Sequence, residues 1–184
     1  MRDISLNEVI KNRKTVYPKE FTGNEIPYET VTDILESALY APTHRRTEPW
    51  FFRVYRNESK KKLCELINKI DDKKYPKIKM NKFIDKVNLS DTVVAVFMKR
   101  DKKESVPEWE EIAAVAMSVQ NMWLTSYVNN VGSYWSTPSF KDEYAKLLNI
   151  DKNEKSLGFF FMGSYKHKII NKVREGIEMK VRWV

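Results

Sequence analysis

Arg13, Lys14 and Thr15 stand together in the chain and present two cations and a hydroxyl. That combination suits an anionic phosphoryl group: the guanidinium offers a planar fork of donors, the ammonium a compact charge and the hydroxyl a further hydrogen bond. A tripeptide of this kind is also ordinary surface decoration, so its meaning depends on what accompanies it. Residues 41–50, APTHRRTEPW, form the second such stretch. Pro42 stops the preceding helix, Thr43, His44, Arg45, Arg46 and Glu48 are polar, and Pro49 and Trp50 lead into an apolar run. Loops of this make-up often hold ligands.

Other chemistries lack their residues. Zinc and iron sites draw on clustered His, Cys and carboxylate ligands, whereas the two histidines, His44 and His167, stand far apart in the chain and Cys64 is the sole cysteine. Neither the phosphate loop GxxxxGK[ST] nor the dinucleotide fingerprint GxGxxG occurs, and five glycines cannot supply a cradle of that type. Glu110 and Glu111 are neighbours on a helix, so they point in different directions and do not jointly flank one bond. Cys64 lies next to the apolar stripe of its helix and reads as a packed, inert thiol.

A chain of 184 residues, 42% hydrophobic and 12% aromatic, is long enough to bury a sizeable core as one domain spanning 1–184. No apolar run approaches the ~20 residues of a membrane helix. The first fourteen residues mix charge among apolar positions and lack a signal-peptide core, and a single cysteine fits a reducing cytoplasm. The net charge of +8 is concentrated, since residues 60–86 hold ten lysines against Glu65, Asp71, Asp72 and Asp85. Lysines spread over helical faces read as solvated surface. With aromatic residues such as Tyr75 and Phe83 they would alternatively serve a nucleic-acid-binding module, although no RNA-binding motif is present.

The elements that must carry the two polar stretches follow from periodicity. Ser5 and Glu8 make a capping-box pattern ahead of Leu6, Val9 and Ile10, a short helix that delivers Arg13. Pro27 opens a second helix with Val31, Ile34, Leu35, Ala38 and Leu39 on one face, ended by Pro42. Residues 50–55 suit a strand and residues 59–70 a helix striped by Leu63, Leu66, Ile67 and Ile70. Residues 71–90 are polar and show no clear element. TVVAVFM, residues 92–98, is a strand deep in a sheet. Residues 107–130 form one long helix, with Pro107 at its start and Gly132 past its end. Its wide apolar face, including Val115, Val119, Met122, Trp123 and Tyr127, points to burial against both its own sheet and a second subunit. Residues 133–136 suit a short strand, 139–148 a helix capped by Ser139, and 157–162 a buried strand bounded by Gly158 and Gly163. The last twenty residues are basic and irregular; the alternation of 179–184 suggests an arm packed on a partner subunit.

In the order Arg13-Lys14-Thr15, Ala41-Pro42-Thr43, Glu48-Pro49-Trp50, then the long helix beginning near Trp109 and the segment 132–136, the chain resembles the FMN-dependent nitroreductase family. The likeness spans nearly the whole chain. His44 and the run Pro107-x-Trp109-Glu110 bring it nearest the family's small, minimal branch. The resemblance implies an α+β nitroreductase-like fold: a central, mostly antiparallel mixed sheet flanked by helices, a long dimer-interface helix and an extended C-terminal arm. It further implies a homodimer holding FMN between its subunits, with NADH or NADPH as hydride donor. Carried over by position, Arg13 and Thr15 bind the phosphate or ribityl chain with Lys14 beside them, and His44 and Glu48 border the flavin. Tyr134, Trp135 and Ser136 lie near the isoalloxazine, while Lys172 and Arg174 match tail cations that reach phosphate. Glu48 replaces a usual amide, so it would accept from flavin N3–H or pair with Arg45 or Arg46. Trp135 takes a position often polar in related proteins. Tyr134 and Trp135 are adjacent in a strand, so only one ring faces the flavin.

The chemistry implied is ping-pong reduction of nitroaromatics, quinones or similar small acceptors. The cofactor carries the hydride step, so no protein acid, base or nucleophile is required for it. A cation near flavin N1 and O2 would stabilise the reduced anion, with Lys14 preferred over Arg45 or Arg46. Reductive dehalogenation or flavin breakdown on the same fold would use the same residues.

Overall fold

A computed structural model of the chain describes residues 5–166 and 174–184. Four strands, β1 (Trp50–Arg56), β2 (Thr92–Lys99), β3 (Val131–Ser136) and β4 (Glu154–Ser164), form one sheet in the order β1-β2-β4-β3. Every pairing is antiparallel, so among the described residues the expected mixed character is absent. The chain is α+β.

Alternation along the strands creates two cores. Val93, Ala95, Phe97, Phe159 and Phe161 face one way, onto α3 (Ser59–Asn68), α4 (Lys77–Leu89) and α6 (Lys141–Leu147). Val94, Val96, Met98, Phe160 and Met162 face the other, onto α2 (Tyr28–Ser37) and α5 (Glu108–Val128). β2 and β4 are therefore covered on both faces, which is why their sequences are continuous apolar runs instead of alternating ones. A register shift between Val96 and Phe97 lies opposite Gly158. Its φ of +102° suits glycine, and a Cβ there would lie 2.3 Å from the Ser136 carbonyl oxygen.

Three expectations change. Residues 77–89, which showed no clear element, form α4, with Met80, Phe83 and Val87 buried at helical spacing among the lysines. Ser139 does not cap α6: the helix begins at Lys141 after Phe140 and has no side-chain cap. Gly158 and Gly163 lie within β4 instead of bounding it. Residues 179–184 form no strand within the chain, and Met179, Val181, Trp183 and Val184 are exposed. No described helix is long and apolar enough to cross a membrane.

The start of α5 is tied down by charge. Glu111, fully buried, accepts from Arg100 Nη1 at 3.2 Å and from the Asp101 backbone N–H at 2.8 Å, fixing the connection from β2 to α5. The neighbouring carboxylate, Glu110, points elsewhere, as helical geometry requires.

Candidate functional site

The first polar stretch is placed by α1 (Leu6–Asn12). Its capping box is complete: Glu8 N–H donates to Ser5 Oγ, and the Ser5 N–H donates to Glu8 Oε2 at 2.9 Å. The chain leaves the helix at Arg13 and is pinned to β3 where Val16 N–H donates to the Ser133 carbonyl at 3.0 Å. The Trp123 indole donates to the same carbonyl at 3.2 Å. Arg13 thereby lies over the Trp123 ring, its guanidinium carbon 4.5 Å from the centroid. Burial, and then the charge of Arg174, hold the Arg13 pKa below the usual guanidinium value. Arg13 and Arg174 thus bring two cations to one partly desolvated place, an arrangement that an anion would stabilise.

Lys14 is buried, its Nζ 5.9 Å from the Tyr165 ring, and Thr15 is half-buried. Two residues further, Tyr17 lies 5.0 Å from the Tyr134 ring. Lys86, from α4, sets its Nζ 5.0 Å over that same ring. Tyr17, Pro18, Lys82, Lys86 and Leu89 line a largely apolar cleft of about 330 Å³. Tyr17 and Lys86 were not anticipated as site residues. Tyr17 lies two positions beyond Thr15, on the same side of an extended segment. Lys86 follows the stripe Met80–Phe83–Val87 at a half-exposed position, and that periodicity was its only local signal.

Tyr134 and Trp135 face opposite sides of the sheet. Tyr134 stacks on Phe161, with centroids 5.9 Å apart, and donates to Ser136 Oγ at 3.3 Å. Trp135 packs with Trp50 and Phe52, and its indole donates to the Leu157 carbonyl at 3.0 Å. Tyr134 is therefore the ring beside the Tyr17 and Lys86 cleft. Lys172 lies outside the described residues.

The second polar stretch sits at the other end of α5. Thr43 Oγ1 accepts from Glu48 N–H at 3.2 Å and lies 3.1 Å from Thr47 Oγ1. Arg45, Arg46 and Glu48 take φ of 51°, 54° and 43°, left-handed conformations that non-glycine residues adopt at a cost and that concentrate at ligand-binding loops. His44 Nδ1 lies 2.6 Å from Glu110 Oε2. Pro42, Thr43, His44, Trp109, Ala113 and Met117 surround a cleft of about 390 Å³. Glu48 is exposed and forms no ion pair with Arg45 or Arg46.

The structure thus brings Arg13 and Arg174 together in one region and places His44 and Glu48 in another, while Tyr134 lies with Tyr17 and Lys86 on the opposite face of the sheet from Trp123. Glu110 and Trp123, which mark the two regions, are thirteen positions apart on α5, about 20 Å at 1.5 Å per residue. Cys64 stays half-buried against the core, and burial raises its thiol pKa. Among the described residues no group of three or more His, Cys, Asp or Glu is placed to hold a metal ion.

Comparison with known proteins agrees on one family. The model of the Nitroreductase family matches residues 10–164. YfhC of Bacillus subtilis is 25% identical over 156 residues, covering 82% of this chain and 79% of that protein. YdjA of Escherichia coli is 24% identical over 144 residues, covering 74% and 76%; each bears the name "Putative NAD(P)H nitroreductase". A nitroreductase-like family protein from Bacillus cereus superposes with a TM-score of 0.85 at 22% identity, over 100% of this chain and 98% of that one. A Desulfovibrio desulfuricans protein solved in complex with FMN superposes at 0.75 with 19% identity, over 100% and 99%.

Proposed function

The chain belongs to the Nitroreductase family, and from that premise we propose that it is a homodimeric, cytoplasmic, FMN-dependent NAD(P)H oxidoreductase of one domain. The observation that carries the reading is the meeting of Arg13 and Arg174 at one partly desolvated place, on a segment whose Tyr17, four residues on, lines a cleft with Lys86 and lies 5.0 Å from the Tyr134 ring. Cations and an aromatic ring carried by one short segment suit a phosphate joined to a planar ring.

Arg13, Thr15 and Arg174, with Lys172, hold the phosphate and ribityl chain, and Lys14 backs them. Tyr17 and Tyr134 wall the ring, with Trp135 and Ser136 shaping the strand end beside it. Lys86 joins Lys14 as a cation able to stabilise negative charge on the ring. FMN, when bound, supplies the redox chemistry, accepting a hydride from NADH or NADPH and passing two electrons to a small nitroaromatic or quinone acceptor by ping-pong exchange. The chain's own task is to bind, orient and shield.

The separation of the two polar regions supports the dimer. A second chain packed antiparallel along α5 would bring His44 and Glu48 of one chain to the Arg13 region of the other. The outward face of α5 beyond the His44 cleft is suited to this: Ala116, Leu124 and Val128 are half-buried. Ile177, Met179 and Trp183 likewise expose apolar side chains on the C-terminal arm. Arg13→Ala is expected to lower the FMN content of purified protein, and unchanged flavin occupancy would sink the phosphate assignment. Dehalogenation and flavin breakdown share this site and are separated from nitro and quinone reduction by substrate screening.

A nucleic-acid role is not favoured, because several of the lysines serve the fold. Lys60 donates to the Ser90 carbonyl, Lys61 pairs with Glu58, Lys74 pairs with Glu143, and Lys86 covers Tyr134.

A further inference from the structure

The pair His44–Glu110 lies apart from the phosphate-binding residues, and at 2.6 Å it is the shortest polar contact of its loop. It joins a loop with three left-handed residues to the first turn of α5, at the wall of a cleft otherwise lined by Pro42, Trp109, Ala113 and Met117. An ionised carboxylate only accepts hydrogen bonds, so Nδ1 is the donor and Nε2 is the nitrogen left for an occupant of the cleft. The other charged groups near this end of α5 are engaged elsewhere or stand outside. Glu108 pairs with Lys155 at 2.6 Å and Glu111 with Arg100 at 3.2 Å. Arg45, Arg46 and Glu48 are exposed on the loop.

We propose that His44, oriented by Glu110, is the proton donor to the acceptor, and that the apolar cleft beside it takes a flat aromatic nitro compound or quinone. This rests on the flavoenzyme reading above and on its antiparallel dimer, in which the reduced flavin held by the second chain lies beside this cleft and supplies the hydride. A hydride adds two electrons but one proton too few for a neutral product. A quinone that has taken the hydride is a hydroquinone anion; its oxygen forms a bond to the Nε2 proton of the doubly protonated His44 ring as the Nε2–H bond breaks. For a nitro compound the same hydride and proton convert R–NO2 to R–NO and water. The imidazole is left neutral with its remaining proton on Nδ1, held by Glu110, and solvent restores the other. Glu110 is the positioning residue: by keeping a proton on Nδ1 it determines that the proton given up is that of Nε2.

The test uses the full chain loaded with FMN. Flavin reoxidation by 1,4-naphthoquinone is followed in H₂O and D₂O, and the ring nitrogens of the two histidines are followed by ¹⁵N NMR. His44→Gln is expected to slow reoxidation roughly 10²-fold, the usual scale of a lost general acid, and to abolish the solvent isotope effect. Added imidazole should partly restore the rate in His44→Ala. Glu110→Ala is expected to slow reoxidation and to move the neutral His44 proton from Nδ1 to Nε2, a change that loss of packing alone would not produce. Glu108→Gln, two positions earlier on the same helix and paired with Lys155, should leave rate and tautomer unchanged. A flavin-loaded His44→Gln protein reoxidised at the parent rate, or an unaltered His44 tautomer in Glu110→Ala, overturns the proposal. Parent protein that takes up no FMN overturns the flavoenzyme reading as well, so the two failures are distinguishable.

Discussion

Arg13 combines three constraints that are usually separate: it ends a capped helix, lies on an indole, and shares a desolvated place with a second arginine. Replacing it removes half of the anion site, so Arg13→Ala should raise the FMN dissociation constant by about tenfold or more, the scale of one charge-assisted hydrogen bond; equilibrium titration of flavin fluorescence reads this directly. Cys64→Ala, remote from both clefts, should leave reduction rates intact. A buried polar contact lies elsewhere, where the Tyr55 and Tyr144 hydroxyls meet at 2.8 Å. Burial pushes the Tyr144 phenol far up from its ordinary value. The folded state therefore keeps it neutral while the unfolded chain ionises near pH 10, so this contribution to stability is complete below about pH 10 and is lost as the pH rises beyond it. Denaturant unfolding of Tyr144→Phe should show about 1–2 kcal/mol lost at neutral pH and a weaker alkaline decline than the parent. Arg13, Thr15, His44 and Glu48 were legible as chemistry because they cluster in sequence. Tyr17 and Lys86 were not, because Lys86 reaches Tyr134 only after α4 packs on the sheet, and one lysine among ten carries no mark of its partner.

At the level of elements, what could be read tracked how completely a segment is covered. β2 and β4 lie between two helical layers, and their apolar runs announced them; α1 announced itself through Ser5 and Glu8. The helix α4 escaped because its stripe of Met80, Phe83 and Val87 is interleaved with lysines that lower its mean hydropathy while leaving its 3.6-residue period intact. Gly158 marks the place where element geometry touches the site, since a side chain there would strike the backbone of Ser136. Gly158→Ala is expected to cost more than about 1 kcal/mol in unfolding free energy and to loosen flavin binding through β3. A variant with full stability and full flavin content would show that this close approach does not matter.

For the whole molecule, the division of polar residues between the two ends of α5 is the feature that most needs a second chain. In the proposed dimer, a site legible as one family pattern in sequence would be assembled from residues of two copies. The exposed arm bearing Ile177, Met179 and Trp183 belongs to the same argument, and removing residues 177–184 should yield monomer and colourless protein together. The most direct test is sedimentation velocity of the purified full chain with excess FMN removed, recorded in the protein and flavin absorbance bands at once. The predicted result is a single species of twice the 21.8 kDa chain mass, with flavin sedimenting in the same boundary. A monomer, or a dimer that stays colourless after incubation with FMN, would contradict a flavin site shared between two chains.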